Sequence, residues 1–339
     1  MSSIDIKIKE LEYVKQHKFT SSSLKLELEG KDMDAIIANT LRRVSYDDVP
    51  TYAFAYINIE YNDSIAFNND YMKLRLRQLP IFNVSNDIDF LDSKYWKNVD
   101  YMNKNREKHE KEMLIEATIN HYNTKNEIYN VTTKDMYYYI NGVQVTYPDP
   151  YPEEPILLIQ LLPNQTFKCQ MRACLGVGEA DSIWFASNDS YYEYNDENPN
   201  KVILTLESSG QMSEYEILVK CCRVIQVKLN AIQKHVKDRV DAKDIKPSST
   251  LHIRLDGEDH TMGNLINNAL QNNKHIAASG LSKPDHFIRS VLFKISSTND
   301  VESPIGPFFE VIKYLKNVFS YLENQFTKLG KLKPRPSIS

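Results

Sequence analysis

The chain writes one strand, turn and helix twice. Residues 21–41 read SSSLKLELEGKDMDAIIANTL and residues 248–270 read SSTLHIRLDGEDHTMGNLINNAL. At an offset of 227, Ser21, Ser22, Leu24, Leu28, Gly30 and Asp32 match Ser248, Ser249, Leu251, Leu255, Gly257 and Asp259. Two extra residues, His260 and Thr261, move the offset to 229, and Met33, Ile36, Ile37 and Leu41 then fall on Met262, Leu265, Ile266 and Leu270. Leu24, Leu26 and Leu28 alternate with charged residues, which is the period of a strand with one buried face. Gly30 supplies a turn and Asp32 a helix cap. Met33, Ile36, Ile37, Leu41 and Val44 then recur at helical spacing until Pro50. The second copy follows the same logic, with its cap at Asp259 or Thr261.

Each copy has a later partner of the same kind. Residues 201–210 (KVILTLESSG) read as a strand before a helix whose face is Leu218, Cys221, Cys222, Ile225, Leu229 and Ile232. Residues 289–296 (RSVLFKIS) read as a strand before a helix with Ile312, Leu315, Phe319, Leu322 and Phe326 spaced 3, 4, 3 and 4. Each half is therefore strand, helix, strand, helix, and the halves form an internal repeat. Four amphipathic helices must bury their stripes against one another, so a packed helical layer over two small sheets is expected. Its core is expected to include Ile36, Ile37, Leu41, Leu218, Ile225, Leu265, Ile266, Leu270, Ile312 and Phe319.

Residues 53–200 interrupt the first half with a Tyr- and Asn-rich texture and strand-like runs at 52–59, 113–119, 156–162 and 167–175. They read as an inserted, mostly β domain whose stretch 87–111 is a partly helical or mobile loop. The expected divisions are 1–52 with 201–236 for the first half, 53–200 for the insert, 237–249 for a linker, 250–328 for the second half and 329–339 for a basic tail.

The 339 residues suffice for two or three domains, and 42% apolar with 25% charged residues is a globular balance. A net charge of -4 and a pI near 6.1 argue against a chain whose main task is gripping nucleic acid. Cys169, Cys174, Cys221 and Cys222 lack ligand spacing and read as small buried hydrophobes of a reducing compartment. The first ten residues lack the apolar core of a signal peptide, and the apolar run 155–163 is too short to span a bilayer, so a soluble chain is expected.

The search for chemistry is nearly empty. There is no GxxxxGK[ST], HExxH or GxSxG, and GVGEAD at 176–181 has two of the three glycines of a dinucleotide loop with no helix behind it. Asp256, Glu258, Asp259 and His260 are possible metal ligands, yet each acidic residue has a structural reason to stand where a strand ends and a helix begins. LRLRQL at 74–79 reads as a half-exposed strand or a short helix before Pro80. Arg42 and Arg43 suit a helix C-terminus, or a surface that docks a partner.

Several motifs resemble one family in order. Residues 38–50 (ANTLRRVSYDDVP) resemble the "GNALRR…P" helix of the bacterial RNA polymerase alpha subunit and its archaeal D and eukaryotic third-largest relatives. Residues 258–270 (EDHTMGNLINNAL) resemble the "DHTLGNLL" helix of the archaeal L subunit and its eukaryotic counterpart. Residues 276–284 occupy the place of that subunit's "GY…HP" turn, altered here because His286 follows Pro284. In the insert, 74–81 is similar to "RL…IPI", 131–136 to "VTS.D", and 176–184 to "GxGKEHAKW" with Asp181 in place of His. The relatives' zinc loop has no counterpart, since 83–110 contains no Cys.

The resemblance implies a definite fold and role. The fold class is α+β: two alpha-subunit-type dimerisation halves forming an intramolecular pseudo-dimer, plus a mostly β insert domain. The function implied is a non-catalytic assembly platform of a multisubunit DNA-directed RNA polymerase, fused as in large cytoplasmic DNA viruses, acting in the host cytoplasm and packaged in the virion. Asn39, Arg42 and Arg43 would face the second-largest subunit, and His260, Thr261, Gly263 and Asn264 the largest. Small subunits of the alpha-associated subassembly are further expected partners, DNA is met only through the complex, and no membrane is involved. The chain would hold no cofactor, with zinc and magnesium in other subunits. The rival readings are a metal-dependent hydrolase built on residues 256–260 and a viral structural scaffold.

Overall fold

Leu24, Leu26 and Leu28 are all fully buried, as their spacing requires. The computed structural model describes residues 4–15, 21–84, 86–149, 153–195, 197–242, 248–285, 287–334 and 336. It opens with β1 (Lys7–Val14) and β2 (Ser23–Glu29), an antiparallel pair, followed by α1 (Ala35–Asp47). The α1 cap is Asp34 rather than Asp32: its side chain accepts from the Ile37 N–H at 2.8 Å. Asp32 instead accepts from the Asp5 N–H and the Tyr314 hydroxyl, each at 2.8 Å, and so ties the turn to the rest of the fold.

The insert follows. Its strands are β3 (Thr51–Asn62), β4 (Ile115–Tyr122), β5 (Tyr129–Thr132), β6 (Met136–Ile140), β7 (Val143–Val145), β8 (Leu157–Leu161) and β9 (Thr166–Gly176). An antiparallel sheet of order β3-β9-β4-β6-β7 and a β5-β8 ribbon enclose a core separate from that of the two halves. Residues 74–79 fall mostly in α2 (Asn69–Arg77), capped by Asn68. A buried carboxamide joins insert to half: Gln211 accepts from the Tyr52 N–H at 2.8 Å and donates to the Tyr52 carbonyl at 2.9 Å.

The chain returns through β10 (Ser187–Asn195) and β11 (Asn198–Ser208) into α3 (Glu214–Asp241). The first half's sheet has the order β1-β2-β11-β10, with Leu24, Leu26 and Leu28 opposite Leu206, Leu204 and Val202. The second half repeats the arrangement with β12 (Thr250–Asp256), α4 (His260–Gln271), β13 (Ile276–Ser282), β14 (Ser290–Ser297) and α5 (Ile305–Leu329). There Leu251, Ile253 and Leu255 stand opposite Ile295, Phe293 and Val291. The duplicated sequence is thus a duplicated ladder of apolar cross-strand pairs, the unit that stabilises a sheet.

Helices from the two halves pack across the repeat, α1 on α4 and α3 on α5. One continuous core results, and Ile37, Leu41, Leu218, Ile225, Leu265, Ile266, Leu270, Ile312 and Phe319 all lie in it. Ile36 is the exception among the expected core residues: it is half-buried at the edge of that core. Cys221 and Cys222 are fully buried in the same layer, and burial pushes both thiols far above their usual range.

The structure refines the expected boundaries. Residues 187–195, placed in the insert, form the outer strand of the first half's sheet, where buried Ser187 meets the Ser45 hydroxyl at 3.1 Å. The stretch 87–111 keeps the partly helical alternative, with a 3-10 turn at Ser93–Tyr95, and is packed through Ile88 and Leu91, with Arg106 in a buried ion pair to Glu112 just beyond it. β1 and β13 are strands that the repeat did not reveal. Of the linker 237–249, residues 237–241 are the end of α3 and 243–247 lie outside the described residues, as do His286 and residues 335 and 337–339 of the tail. Among the described residues no helix is long and apolar enough to cross a membrane.

Candidate docking surface between the halves

The second copy begins its helix earlier than the first. Relative to the shared methionine, α4 starts four residues before α1 does, about one extra turn. Gly257, at φ +83°, turns the chain so that Asp259 can cap that turn by accepting from the Thr261 N–H at 2.8 Å. The extra turn lies beside α1. It brings Arg43 Nη2 to 3.0 Å from Asp259 Oδ2, while the same nitrogen reaches Asp47 Oδ2 at 3.5 Å.

Between α1 and α4 runs a groove of about 170 Å³ lined by Ile36, Asn39, Thr40, Arg43, His260, Thr261, Asn264, Asn267, Asn268 and Gln271. Five of the seven expected docking residues are therefore together: Asn39, Arg43, His260, Thr261 and Asn264. Arg42 stands outside the lining, and its Nε donates to Asn39 Oδ1 at 3.0 Å. Gly263 does not present itself at all. It is buried beneath Leu281, whose Cδ2 would stand 2.7 Å from a Cβ there, so its role is close packing of α4 on β13. Sequence reading missed Asn267, Asn268 and Gln271. The spacing of Asn264, Asn268 and Gln271 by 4 and 3 places them on one helix face and was the available signal.

A charged cluster underlies one end of the groove. Lys228 of α3, almost wholly buried, places Nζ 2.8 Å from Asp48 Oδ1 and 3.5 Å from Glu258 Oε2, joining the halves again. Asp48 has first claim on the lysine. Burial pushes the Glu258 carboxyl up to about 7, with Asp48 and Asp259 adding to the rise and Lys228 opposing it. Burial raises Asp47 as well, against the pull of Arg43. Arg289, just before β14, pairs with Glu179 of the insert, so all three units meet here.

Each of these acidic residues has a cationic partner of its own. Asp256 is held by Arg254 Nε at 2.8 Å, Glu258 by Lys228, and Asp259 by Arg43 and its cap. The three carboxylates face three different cations rather than one another. The glycines of GVGEAD are likewise spoken for: Gly176 lies against the Trp184 ring and Gly178 against the Tyr46 carbonyl, too close for any Cβ. Asp181, where the resemblance has His, caps the turn Ser182–Trp184 and pairs with Arg77 Nη2 at 3.0 Å.

Comparison with known proteins agrees with this geometry. A relative from Acanthamoeba polyphaga mimivirus, described as "Putative DNA directed RNA polymerase subunit", is 29% identical over 354 aligned positions, covering 98% of this chain and 94% of the relative. Residues 27–229 match a family model described as the RNA polymerase Rpb3/Rpb11 dimerisation domain, and residues 250–326 match a second model of the same description. With the two matches falling on two halves that share one core, the chain belongs to the RNA polymerase Rpb3/Rpb11 dimerisation domain family, both members of the dimer being carried in one polypeptide.

Proposed function

We propose that this chain is the assembly platform of a multisubunit DNA-directed RNA polymerase, on which the two largest subunits dock. The observation that carries the reading is that helices from both halves build one core and one shared groove within a single chain. Pairing of the two dimerisation domains is intramolecular here, so no separate dimerisation step limits assembly. The α1–α4 face and its flanks, with Arg42 at one edge, are the docking surface; small subunits of the alpha-associated subassembly would bind elsewhere. The chain itself supplies no active-site carboxylates. Magnesium and zinc belong to other subunits, DNA is met through the complex, and the setting is the cytoplasm of an infected host cell with packaging in the virion.

Affinity purification of the tagged chain from its native source tests this. Two very large chains and template-dependent RNA synthesis are the expected result. Recovery of a lone chain, or of capsid proteins without polymerase activity, would sink the proposal.

A further inference from the structure

The two halves differ at one sheet edge. In the first half β1 lies along β2, and Lys25, Glu27 and Glu29 face Glu12, Lys9 and Lys7. β12 is the copy of β2 at the offset of 227, yet it pairs with β14 alone. Among the described residues no strand pairs with its other side, where β1 would stand.

That side presents unpaired backbone. The Ser297 N–H donates to the Ser249 carbonyl at 2.9 Å and the Gly257 N–H to the Arg289 carbonyl at 2.8 Å, which fixes the alternation. Odd-numbered residues of β12 bond β14, so His252, Arg254 and Asp256 direct their N–H and C=O groups outward. In β2 the Gly30 N–H donates to the Asn200 carbonyl at 3.1 Å, and the same alternation turns Lys25, Glu27 and Glu29 toward β1.

The edge also lacks the features that keep edges from pairing. Bulges and short length are the usual ones. β1, β3, β10 and β13 each carry a register shift, the β5-β8 ribbon carries one, and β7 has three residues. β12 holds its register over seven residues without a proline, above the buried Leu251, Ile253 and Leu255.

The outward side chains decide what fits. Laid on β12 in the register that it keeps on β2, the β1 sequence sets Lys7 against Asp256 and Glu12 against His252, but Lys9 against Arg254. Like charges directly opposite repel, so a fitting strand carries a carboxylate at that one place. Arg254 can take it, since its 2.8 Å pairing with Asp256 joins two side chains that are 51% and 70% exposed and holds weakly. A second copy of β12 paired along its full length sets His252 against Arg254 and offers it no carboxylate.

We propose that the open edge of β12 accepts an extended segment of another protein chain, antiparallel to β12, with a carboxylate facing Arg254. Backbone hydrogen bonds hold it, and the charge selects it, as in strand-addition recognition. None of the β12 residues lines the groove between α1 and α4, and the site stands or falls apart from the assembly reading.

The probe is a labelled peptide of residues 4–14 carrying Lys9→Glu, added to the full-length chain. Amide exchange should slow at His252, Arg254 and Asp256, and fluorescence anisotropy should show the unsubstituted peptide binding about threefold more weakly. On an Arg254→Glu chain the order of the two peptides should reverse. A peptide that also carries Lys7→Pro, and so lacks an N–H aimed at the edge, should slow none of these amides. No slowing at the three residues, equal affinity for both charge forms, or slowing confined to β2, where a peptide merely displaces β1, overturns the proposal. Slowing that grows with chain concentration in the absence of peptide assigns the edge to a second copy and overturns it as well.

Discussion

Arg43 Nη2 lies 3.0 Å from Asp259 Oδ2, joining the C-terminal part of α1 to the N-cap of α4 across the two halves. Both side chains keep partial access to water, so the pair is a modest contributor. A double-mutant cycle with Arg43→Ala and Asp259→Asn, the latter keeping a capping side chain, is expected to give a coupling of about 0.5–1 kcal/mol in urea unfolding. A coupling indistinguishable from zero would remove this pair from the interface.

Leu41 and Leu270 hold equivalent places in the two copies and are both fully buried in the shared core. Leu41→Ala and Leu270→Ala are each expected to cost about 2–5 kcal/mol, and because one core serves both halves, each should lower a single unfolding transition. If the two substitutions lowered two different transitions, the halves would fold independently.

The sequence made the repeat legible because period two and period 3.6 are strong wherever one face is buried, as at Leu24, Leu26 and Leu28 or at Ile312, Leu315 and Phe319. β10 was hidden because its inward Ser187 and Ser190 are polar, and β13 because Ala277, Ala278 and Gly280 face solvent with no alternation to read. Asp34 escaped notice as a cap because the copies start their helices a turn apart. Motif resemblance singled out Asn39, Arg43 and Asn264, and all three line the groove between α1 and α4. The cluster of Lys228, Asp48, Glu258 and Arg289 was not legible, since it joins residues far apart in sequence, and Glu258 was singled out only with its neighbours Asp256, Asp259 and His260.

Glu258 should make stability depend on pH. With its carboxyl raised from 4.5 to about 7 by burial, the folded chain holds a proton that the unfolded chain has already released over that interval. The contribution is fully present below about 4.5 and is lost as pH rises through about 7. Asp47, also raised, adds to the same slope. Urea midpoints at about pH 5 and about pH 8 should differ less in Glu258→Gln than in the parent chain. An identical difference in both would show that Glu258 is already ionised across the range.

Lys220 is fully buried on α3, and its ammonium donates to the Asn86 carbonyl at 2.9 Å, the Ile88 carbonyl at 2.8 Å and Asn86 Oδ1 at 3.2 Å, with Asp89 at 3.5 Å. Arg223, one turn on, pairs with Asp89 and with Glu323 of α5, so the path of residues 86–89 is fixed by cations from the dimerisation layer. Replacing Lys220 by Met fills much of the volume but leaves those acceptors without their ammonium. Removing one partner from a buried charged network costs about 3–5 kcal/mol. Lys220→Met is therefore expected to destabilise by that amount and to raise amide exchange first in residues 86–91, where Ile88 and Leu91 would lose their anchor. A cost within error of zero, with exchange unchanged there, would show that apolar packing alone holds this stretch against the helical layer.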